Sequence, residues 1–351
     1  MLKRSSLFVA AMLAVGLGGA VSSAQAAESI TGAGATFPYP VYSKWADDYQ
    51  DATGVGLNYQ AIGSGGGIRQ IEAGTVTFGA SDVPLSAADQ QKNGLVQFPM
   101  IMGGAVPVAN VGLPEGKSLR LDGPTLAAIY DGQITEWDDK RIAALNPGVD
   151  LPSTTITPVY RSDGSGTNYN FTRYLSEVSP EFKSTVGMGQ SVSWPTGVGA
   201  QANGGVASQV GNVKGAIGYV EYAYAVQNHL QSVELKNKAG HYVTPNAKSF
   251  AAAASHADWT GTKGMQVFLT NQPGAESWPI TAVSYILFHK DVKDAKAANS
   301  ALKFFDWAYK NGGKDAAALD YVAIPDSVVK MVKSKVWSQI KADGKPVWTA
   351  E

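Results

Sequence analysis

Three glycine-rich turns carry hydroxyl side chains, and each turn lies between a predicted strand and a predicted helix. They hold Thr36, Ser64, and the pair Ser165 and Thr167. The first N–H groups of a helix lack partners within the helix and carry a partial positive charge, so they bind anions. Glycine lets the backbone approach a ligand closely, and hydroxyls add neutral donors. The three turns together predict an anion site, although each turn alone is more typical of a simple helix cap.

The third turn has an arginine as well. Arg161 stands four residues before Ser165, and an arginine fork can give an oxyanion two hydrogen bonds. Asp163 lies between them, and it either holds the guanidinium in place or caps the following helix. The arginine favours an anion site over plain helix caps.

Established nucleotide and hydrolase motifs are absent. The turn that starts at Gly32 lacks the third glycine of a dinucleotide fingerprint, and no G-x-x-x-x-G-K-[ST] occurs. Residue 163 is Asp, so Ser165 lacks the G-x-S-x-G elbow of an α/β-hydrolase. A secreted phosphatase that uses Ser165 as its nucleophile remains an alternative, but it needs a base or a metal.

The elements around these turns predict an α/β fold. Residues 57–61, 76–79 and 155–160 have strand character, and each run leads into a polar turn. A helix is expected after Pro38 and Pro40. Residues 96–111 are apolar but broken by Pro and Gly, which favours buried strands over a helix. Strands that alternate with helices predict parallel sheets.

Composition excludes several classes of protein. The chain has 351 residues, enough for two domains, and its net charge of −1 does not suit a nucleic-acid binder. It has no cysteine, which excludes disulfides and thiolate zinc sites. The four histidines are scattered, and we expect neither a metal nor a cofactor.

The N-terminus has the pattern of a secretory signal peptide. Lys3 and Arg4 precede an apolar stretch at 7–20, and Ala24 and Ala26 provide small residues for a signal peptidase. We expect residues 1–26 to be removed after Ala26, which leaves a soluble periplasmic protein. The apolar stretch is too short to span a membrane, so no membrane insertion is expected.

Several segments, taken in order, resemble one family. The chain is similar to the periplasmic phosphate-binding proteins of bacterial high-affinity phosphate ABC transporters, and the likeness extends over nearly the whole mature chain. The segments that carry it are Thr31-Gly-Ala-Gly-Ala-Thr-Phe-Pro38, Ile62-Gly-Ser-Gly-Gly-Gly67, Phe78-Gly-Ala-Ser-Asp82, 161–167, Gly215-Ala-Ile-Gly-Tyr-Val-Glu-Tyr222, Pro279-Ile-Thr281 and Phe304-Phe-Asp-Trp-Ala-Tyr309.

The resemblance implies a fold and a set of ligand contacts. The fold is the two-lobed, type II "Venus flytrap" of periplasmic binding proteins, α/β with parallel-rich sheets and hinge strands. Lobe 1 would comprise residues 27–106 and 280–351, and lobe 2 residues 107–279. Asp82 would accept a proton from phosphate, and Asp163 would brace Arg161. The phosphate ligands would be Thr36, Phe37, Ser64, Asp82, Arg161, Ser165, Gly166 and Thr167.

The function that follows is capture of inorganic phosphate between the lobes and its delivery to the permease subunits of an ABC transporter. We expect a monomer without enzymatic activity. Besides a phosphatase, a binder of another tetrahedral oxyanion, sulfate above all, remains an alternative.

Overall fold

The computed structural model describes residues 29–113 and 116–348. The predicted signal peptide, residues 1–26, lies outside the described residues. The strands are β1 Ser29–Gly34, β2 Gly56–Ala61, β3 Phe78–Ser81, β4 Leu95–Ala109, β5 Arg120–Leu121, β6 Thr157–Arg161, β7 Val198–Ala200, β8 Ala216–Glu221, β9 Gln231–Ser232, β10 Glu234–Lys236, β11 Tyr242–Val243, β12 Leu269–Thr270, β13 Ile280–His289, β14 Val322–Ala323, β15 Lys341–Ala342 and β16 Lys345–Pro346.

Helices fill most of the remaining described chain. They are α1 Tyr39–Thr53, α2 Ser64–Glu72, α3 Ala87–Lys92, α4 Gly123–Tyr130, α5 Lys140–Leu145, α6 Gly166–Val178, α7 Pro180–Thr185, α8 Ala202–Asn212, α9 Tyr222–Gln227, α10 Ala247–Ala254, α11 Ala295–Asn311, α12 Gly313–Ala318 and α13 Asp326–Met331. A π turn at Val332–Val336 and short 3₁₀ turns at Lys263–Met265 and Trp337–Gln339 complete the list.

One curled sheet runs through the molecule in the order β2-β1-β3-β13-β4-β8-β6-β7. At its two ends the pairing is parallel, β1 with β2 and β3, and β6 with β7 and β8. In the middle, β13 and β4 run antiparallel to each other, and β4 also pairs antiparallel with β8. The parallel parts confirm the prediction from alternating strands and helices, and the antiparallel centre joins the two parallel parts.

Strand β4 is continuous, although its sequence contains Pro99 and the pair Gly103 and Gly104. The pairing with β13 shifts register at Ser284/Tyr285, where Met100 is passed over between paired Ile101 and Pro99. A bulge of this kind accommodates a proline that cannot donate to the ladder. The predicted series of buried strands at 96–111 is therefore one long, bent strand.

Two large hydrophobic cores of the described residues lie along this sheet, one for each lobe, beside a small cluster of Ile71, Leu95 and Leu287. The first core contains residues of β1, β3, α1, α11 and the start of β4, and the second contains residues of β6, β8, α4, α6 and the end of β4. Both long strands pass from one core to the other, β4 between Met102 and Ala105 and β13 between Ile280 and Ala282. The segment 259–269 packs with the first core. The predicted lobe boundaries at 106/107 and 279/280 remain a prediction.

Helix α1 shows how the sequence positions the ends of these elements. Proline at its start fits the first turn of a helix, and Gly54 at its end adopts φ 74°, which glycine accepts without strain. Val41, Trp45 and Tyr49 are buried on one face, as their spacing predicts. Burial of this face fixes the helix against the sheet, so that its N-terminus lies beside the end of β1.

No helix within the described ranges combines the length and the hydropathy that a membrane crossing requires.

Candidate functional site

The second and third turns meet at Ser64. Its hydroxyl oxygen accepts hydrogen bonds from the backbone N–H groups of Asp82 and Gly166, each at 3.1 Å, and lies 3.5 Å from Asp82 Oδ2. Ser64 begins α2 in the first lobe, whereas Gly166 begins α6 in the second. A further bond from the Gly65 N–H to the Gly164 carbonyl, 2.8 Å, also crosses between the lobes. The two predicted turns therefore face each other across one cleft.

Arg161 is buried beside this contact. Its Nε and one terminal nitrogen donate to both oxygens of Asp163 at 2.7 and 2.5 Å, and its other terminal nitrogen lies 3.4 Å from Thr167 Oγ1. Burial opposes ionisation of Asp163, but the Arg161 hydrogen bonds and charge, together with the Ala202 N–H, hold the pKa of that carboxyl below its usual value. Asp163 thus braces the guanidinium, while Ser165 provides the cap of α6 by accepting from the Asn168 N–H at 3.0 Å.

The first turn joins the same cleft through an asparagine. Asn203 Nδ2 donates to Thr36 Oγ1 at 2.8 Å and lies 3.3 Å from Thr167 Oγ1. The neighbouring Phe37 carbonyl accepts from Tyr321 Oη at 2.7 Å. In the described part of the chain, no hydrogen bond engages the Phe37 N–H, which leaves this donor at the end of β1 for a ligand.

All the site residues predicted from the sequence therefore lie in or beside one cleft, from both lobes. Asn203 was not among them. Its signal was present, because Gln201-Ala-Asn-Gly-Gly205 follows a strand and opens a helix like the other turns. Strand β7 has only three residues, however, and its pairing with β6 is visible only in three dimensions.

Four helix N-termini surround the cleft, namely those of α1, α2, α6 and α8. Each contributes the partial positive charge of a helix N-terminus, although some of the first N–H groups, such as those of Gly166 and Ala202, already donate to protein oxygens. Thr36, Ser64, Asn203 and Thr167 mark these four ends, and all four side chains are buried. With Arg161, the cleft is a set of preorganised donors for a small oxyanion.

Asp82 is the exception among these donors. It is 2% exposed, and burial raises the pKa of its carboxyl to about 7, against the opposing effects of Ser284, Arg161 and Ser64. An ionised carboxylate offers only lone pairs, so it attracts a ligand that brings its own proton. The site therefore combines many donors with one acceptor, as a protonated oxyanion requires.

Among the described residues, no group of three or more His, Cys, Asp or Glu side chains is placed to hold a metal ion.

Comparison with known proteins identifies the family. Residues 19–311 match the PBP superfamily domain. The phosphate-binding protein PstS of Pasteurella multocida is 50% identical over 323 residues, which cover 92% of this chain and 94% of that protein. The phosphate-binding protein PstS of Haemophilus influenzae is 52% identical over 317 residues, which cover 90% of this chain and 94% of that protein.

Solved structures share the fold at lower identity. The phosphate binding protein of Stenotrophomonas maltophilia superposes with a TM-score of 0.70 at 21% identity, over 91% of this chain and 97% of that one. A human phosphate binding apolipoprotein gives a TM-score of 0.70 at 19% identity, over 87% of this chain and 93% of that one. The chain belongs to the PBP superfamily and, within it, to the family of the phosphate-binding proteins PstS.

Proposed function

We propose that the protein binds one inorganic phosphate in the cleft between its lobes and passes it to an ABC transporter. The observation that carries this proposal is the juxtaposition of Ser64, Asp82 and Gly166. Backbone N–H groups from both lobes donate to the buried Ser64 hydroxyl, beside the Asp82 carboxyl. The family supports the same ligand, since its curated members are phosphate-binding proteins.

The residues divide by role. Phosphate oxygens would accept from the hydroxyls of Thr36, Ser64, Ser165 and Thr167, from the Phe37 N–H and from Arg161. The Gly166 N–H would join these donors by exchanging its bond to Ser64 Oγ for one to the ligand. Asp82 would accept the proton that HPO₄²⁻ or H₂PO₄⁻ carries near neutral pH. Asp163 keeps the Arg161 fork in position and is not itself a ligand. Charge-assisted bonds of this kind gain strength in a closed, water-poor cleft.

Lobe closure around phosphate would bring the two halves of the site into the contact that the structure has between Ser64 and Gly166. Residues 27–106 with 280–351 form one lobe in this proposal and residues 107–279 the other, joined by the crossing strands β4 and β13. Hinge closure around a ligand is typical of periplasmic binding proteins. The protein would be exported after cleavage behind Ala26, act as a monomer in the periplasm, and deliver phosphate to membrane permease subunits.

The two alternatives fit the cleft less well. Ser165 caps α6 by accepting from the Asn168 N–H, and in the described structure no histidine forms a hydrogen bond with its hydroxyl, so a phosphatase would lack a histidine base. The family confirms a binding protein and not an enzyme. Sulfate carries no proton near neutral pH, so it would place lone pairs against the lone pairs of Asp82.

Calorimetric titration of the phosphate-free protein with phosphate tests the proposal. We expect one site per chain in the parent and a large loss of affinity in Arg161→Ala. Arg141→Ala is the matched control, because Arg141 forms a similar fork with Asp139 on the exposed surface. Equal affinity in parent and Arg161→Ala would overturn the site assignment, and hydrolysis of a generic phosphate ester would favour the enzyme.

A further inference from the structure

Three buried polar side-chain atoms near the cleft make no hydrogen bond of regular geometry, although Ser284 is close enough to lower the pKa of both Asp82 and Tyr42. They are Asp82 Oδ1, Ser284 Oγ and Tyr42 Oη, and none of them has a partner of that geometry within the described part of the chain. Buried polar groups are almost always paired, because an unpaired one loses its water without compensation. An unpaired cluster beside a ligand site therefore requires a functional explanation.

The sheet explains why Ser284 is at this place. Strand β13 pairs with β3 so that Tyr285 is opposite Ser81, and the next step of the antiparallel register sets Ser284 opposite Asp82. The bulge in β4 lies beside the same residue, because the pairing of β13 with β4 changes register between Ser284 and Tyr285. Bulges occur next to binding sites because they redirect side chains. Ser284 is fully buried in a strand that is otherwise mostly apolar.

The two oxygens of Asp82 have different surroundings. Oδ2 lies 3.5 Å from Ser64 Oγ at the N-terminus of α2, on the side of the cleft. Oδ1 is the oxygen without a partner of regular geometry. The Ser284 hydroxyl, on strand β13, lowers the pKa of this carboxyl. Ser284 also lowers the pKa of Tyr42, against the larger effect of burial, and the Tyr42 hydroxyl is the third atom of the cluster.

We propose that Ser284, backed by Tyr42, is a positioning residue that donates to Asp82 Oδ1 and keeps Asp82 Oδ2 turned toward the ligand as an acceptor. This inference rests on the proposed function. Ser284 does not touch the ligand and acts only through Asp82. A donor at Asp82 Oδ1 favours the ionised carboxylate. The ionised form accepts a hydrogen bond from protonated phosphate and repels sulfate.

Other groups around Asp82 do not replace this donor. Glu221 and Tyr59 are buried, and burial raises the pKa of each side chain, while Arg161 shares its charge with Asp163. Arg161 is the charged group that lowers the pKa of Asp82, and the Asp82 carboxylate in turn raises the pKa of its titratable neighbours Glu221, Tyr42, Tyr59, Tyr224 and Tyr321. Ser284 and Ser64 are the hydroxyl donors that lower the pKa of Asp82.

The test compares Ser284→Ala with Ser284→Thr, which restores a hydroxyl, and with Tyr42→Phe. Ser176→Ala is the matched control, because the Ser176 hydroxyl is also buried without a partner but lies on the far part of α6. Carbon NMR follows the Asp82 carboxyl in the ligand-free protein from pH 5 to 9, assigned as the signal that Asp82→Asn lacks. Competition with sulfate, which does not titrate in this range, is measured over the same pH values.

We expect Ser284→Ala to move the Asp82 midpoint upward by roughly half a pH unit or more, with a smaller shift in Tyr42→Phe. Sulfate should then compete with phosphate up to a correspondingly higher pH. Ser284→Thr should restore the parent midpoint, and Ser176→Ala should leave it unchanged. An unchanged midpoint in Ser284→Ala, in a protein that still binds phosphate at pH 8, would overturn this inference alone. A parent protein that binds no phosphate at pH 8 would overturn the proposed function and this inference with it.

Discussion

Ser64 Oγ accepts a hydrogen bond from the Gly166 N–H at 3.1 Å, although the two residues are 102 positions apart in the chain. The bond joins the N-terminus of α2 in the first lobe to the N-terminus of α6 in the second. It is possible because residue 166 has no side chain. A Cβ at this position would lie 2.5 Å from Ser64 Oγ and 2.6 Å from Asp82 Cβ, closer than atoms can approach.

Gly166→Ala should therefore prevent full closure of the lobes. We expect the variant to bind phosphate at least about tenfold more weakly, a loss of about 1.4 kcal/mol or more. Small-angle scattering should show that phosphate reduces the radius of gyration of the parent but not that of the variant.

Gly211→Ala provides the control for this experiment, because a Cβ there meets only Leu230 Cδ2 at an ordinary 3.5 Å. It should close like the parent. A parent whose radius stays constant while phosphate binds would contradict closure, and so would a Gly166→Ala variant that closes normally.

Arg161→Lys keeps the positive charge but loses the fork that Asp163 holds. Asp163 cannot hold a lysine ammonium by two aligned bonds, so the charge would no longer be fixed toward the ligand. We expect the affinity for phosphate to fall by about 1.5–3 kcal/mol, roughly ten- to hundredfold. Calorimetry at fixed ionic strength measures this loss. Arg141→Lys changes the exposed fork with Asp139 and should bind like the parent. A parent-like affinity in Arg161→Lys would show that the fork is not used.

The local sequence was sufficient to predict the turns that the structure brings together at this site. Thr36, Ser64 and Ser165 to Thr167 lie in strand–turn–helix segments whose chemistry depends on a few neighbouring residues. Arg161 and Asp163 are two positions apart, so their pairing follows from one turn of the chain. The parallel ends of the sheet were predictable for the same reason, since each strand and the helix after it are close in sequence.

The remaining features depend on tertiary contacts. Asp82 was identified through resemblance to a family and not from its own neighbourhood, and Ser284 reaches it only through the register of β13 on β3. Asn203 lies 167 positions from Thr36, the residue that it binds. The segment 96–111 was predicted to form several buried strands, but the bulge at Met100 lets β4 continue past Pro99 as one strand.

Burial of Asp82 should also make the stability of the ligand-free protein depend on pH. The pKa of its carboxyl is raised to about 7, so the folded state binds this proton more tightly than the unfolded state does. Its contribution to the free energy of unfolding is therefore fully present only below the ordinary pKa of an aspartate, about 4, and is lost progressively as the pH rises from there to about 7. Each unit by which the pKa differs between the folded and unfolded states corresponds to about 1.4 kcal/mol in the free energy of unfolding.

Urea unfolding of parent and Asp82→Asn at pH 5.5 and pH 8 isolates this effect. The parent should gain stability relative to the variant at the lower pH. Asp139→Asn is the control, because the pKa of exposed Asp139 is lowered to about 2 by Arg141 and the group stays ionised at both pH values. An equal difference between parent and Asp82→Asn at both pH values would show that Asp82 does not titrate in this range.

The account depends most of all on Asp82 as the acceptor that selects a protonated oxyanion. A competition titration of phosphate against sulfate at pH 8, on parent and Asp82→Asn, tests this most directly. A buried charge without a match costs about 3–5 kcal/mol, so the parent should prefer phosphate by two decades or more. The variant supplies a donor amide in place of the carboxylate, and its preference for phosphate should shrink at least about tenfold. Equal phosphate-to-sulfate selectivity in parent and variant would contradict the account.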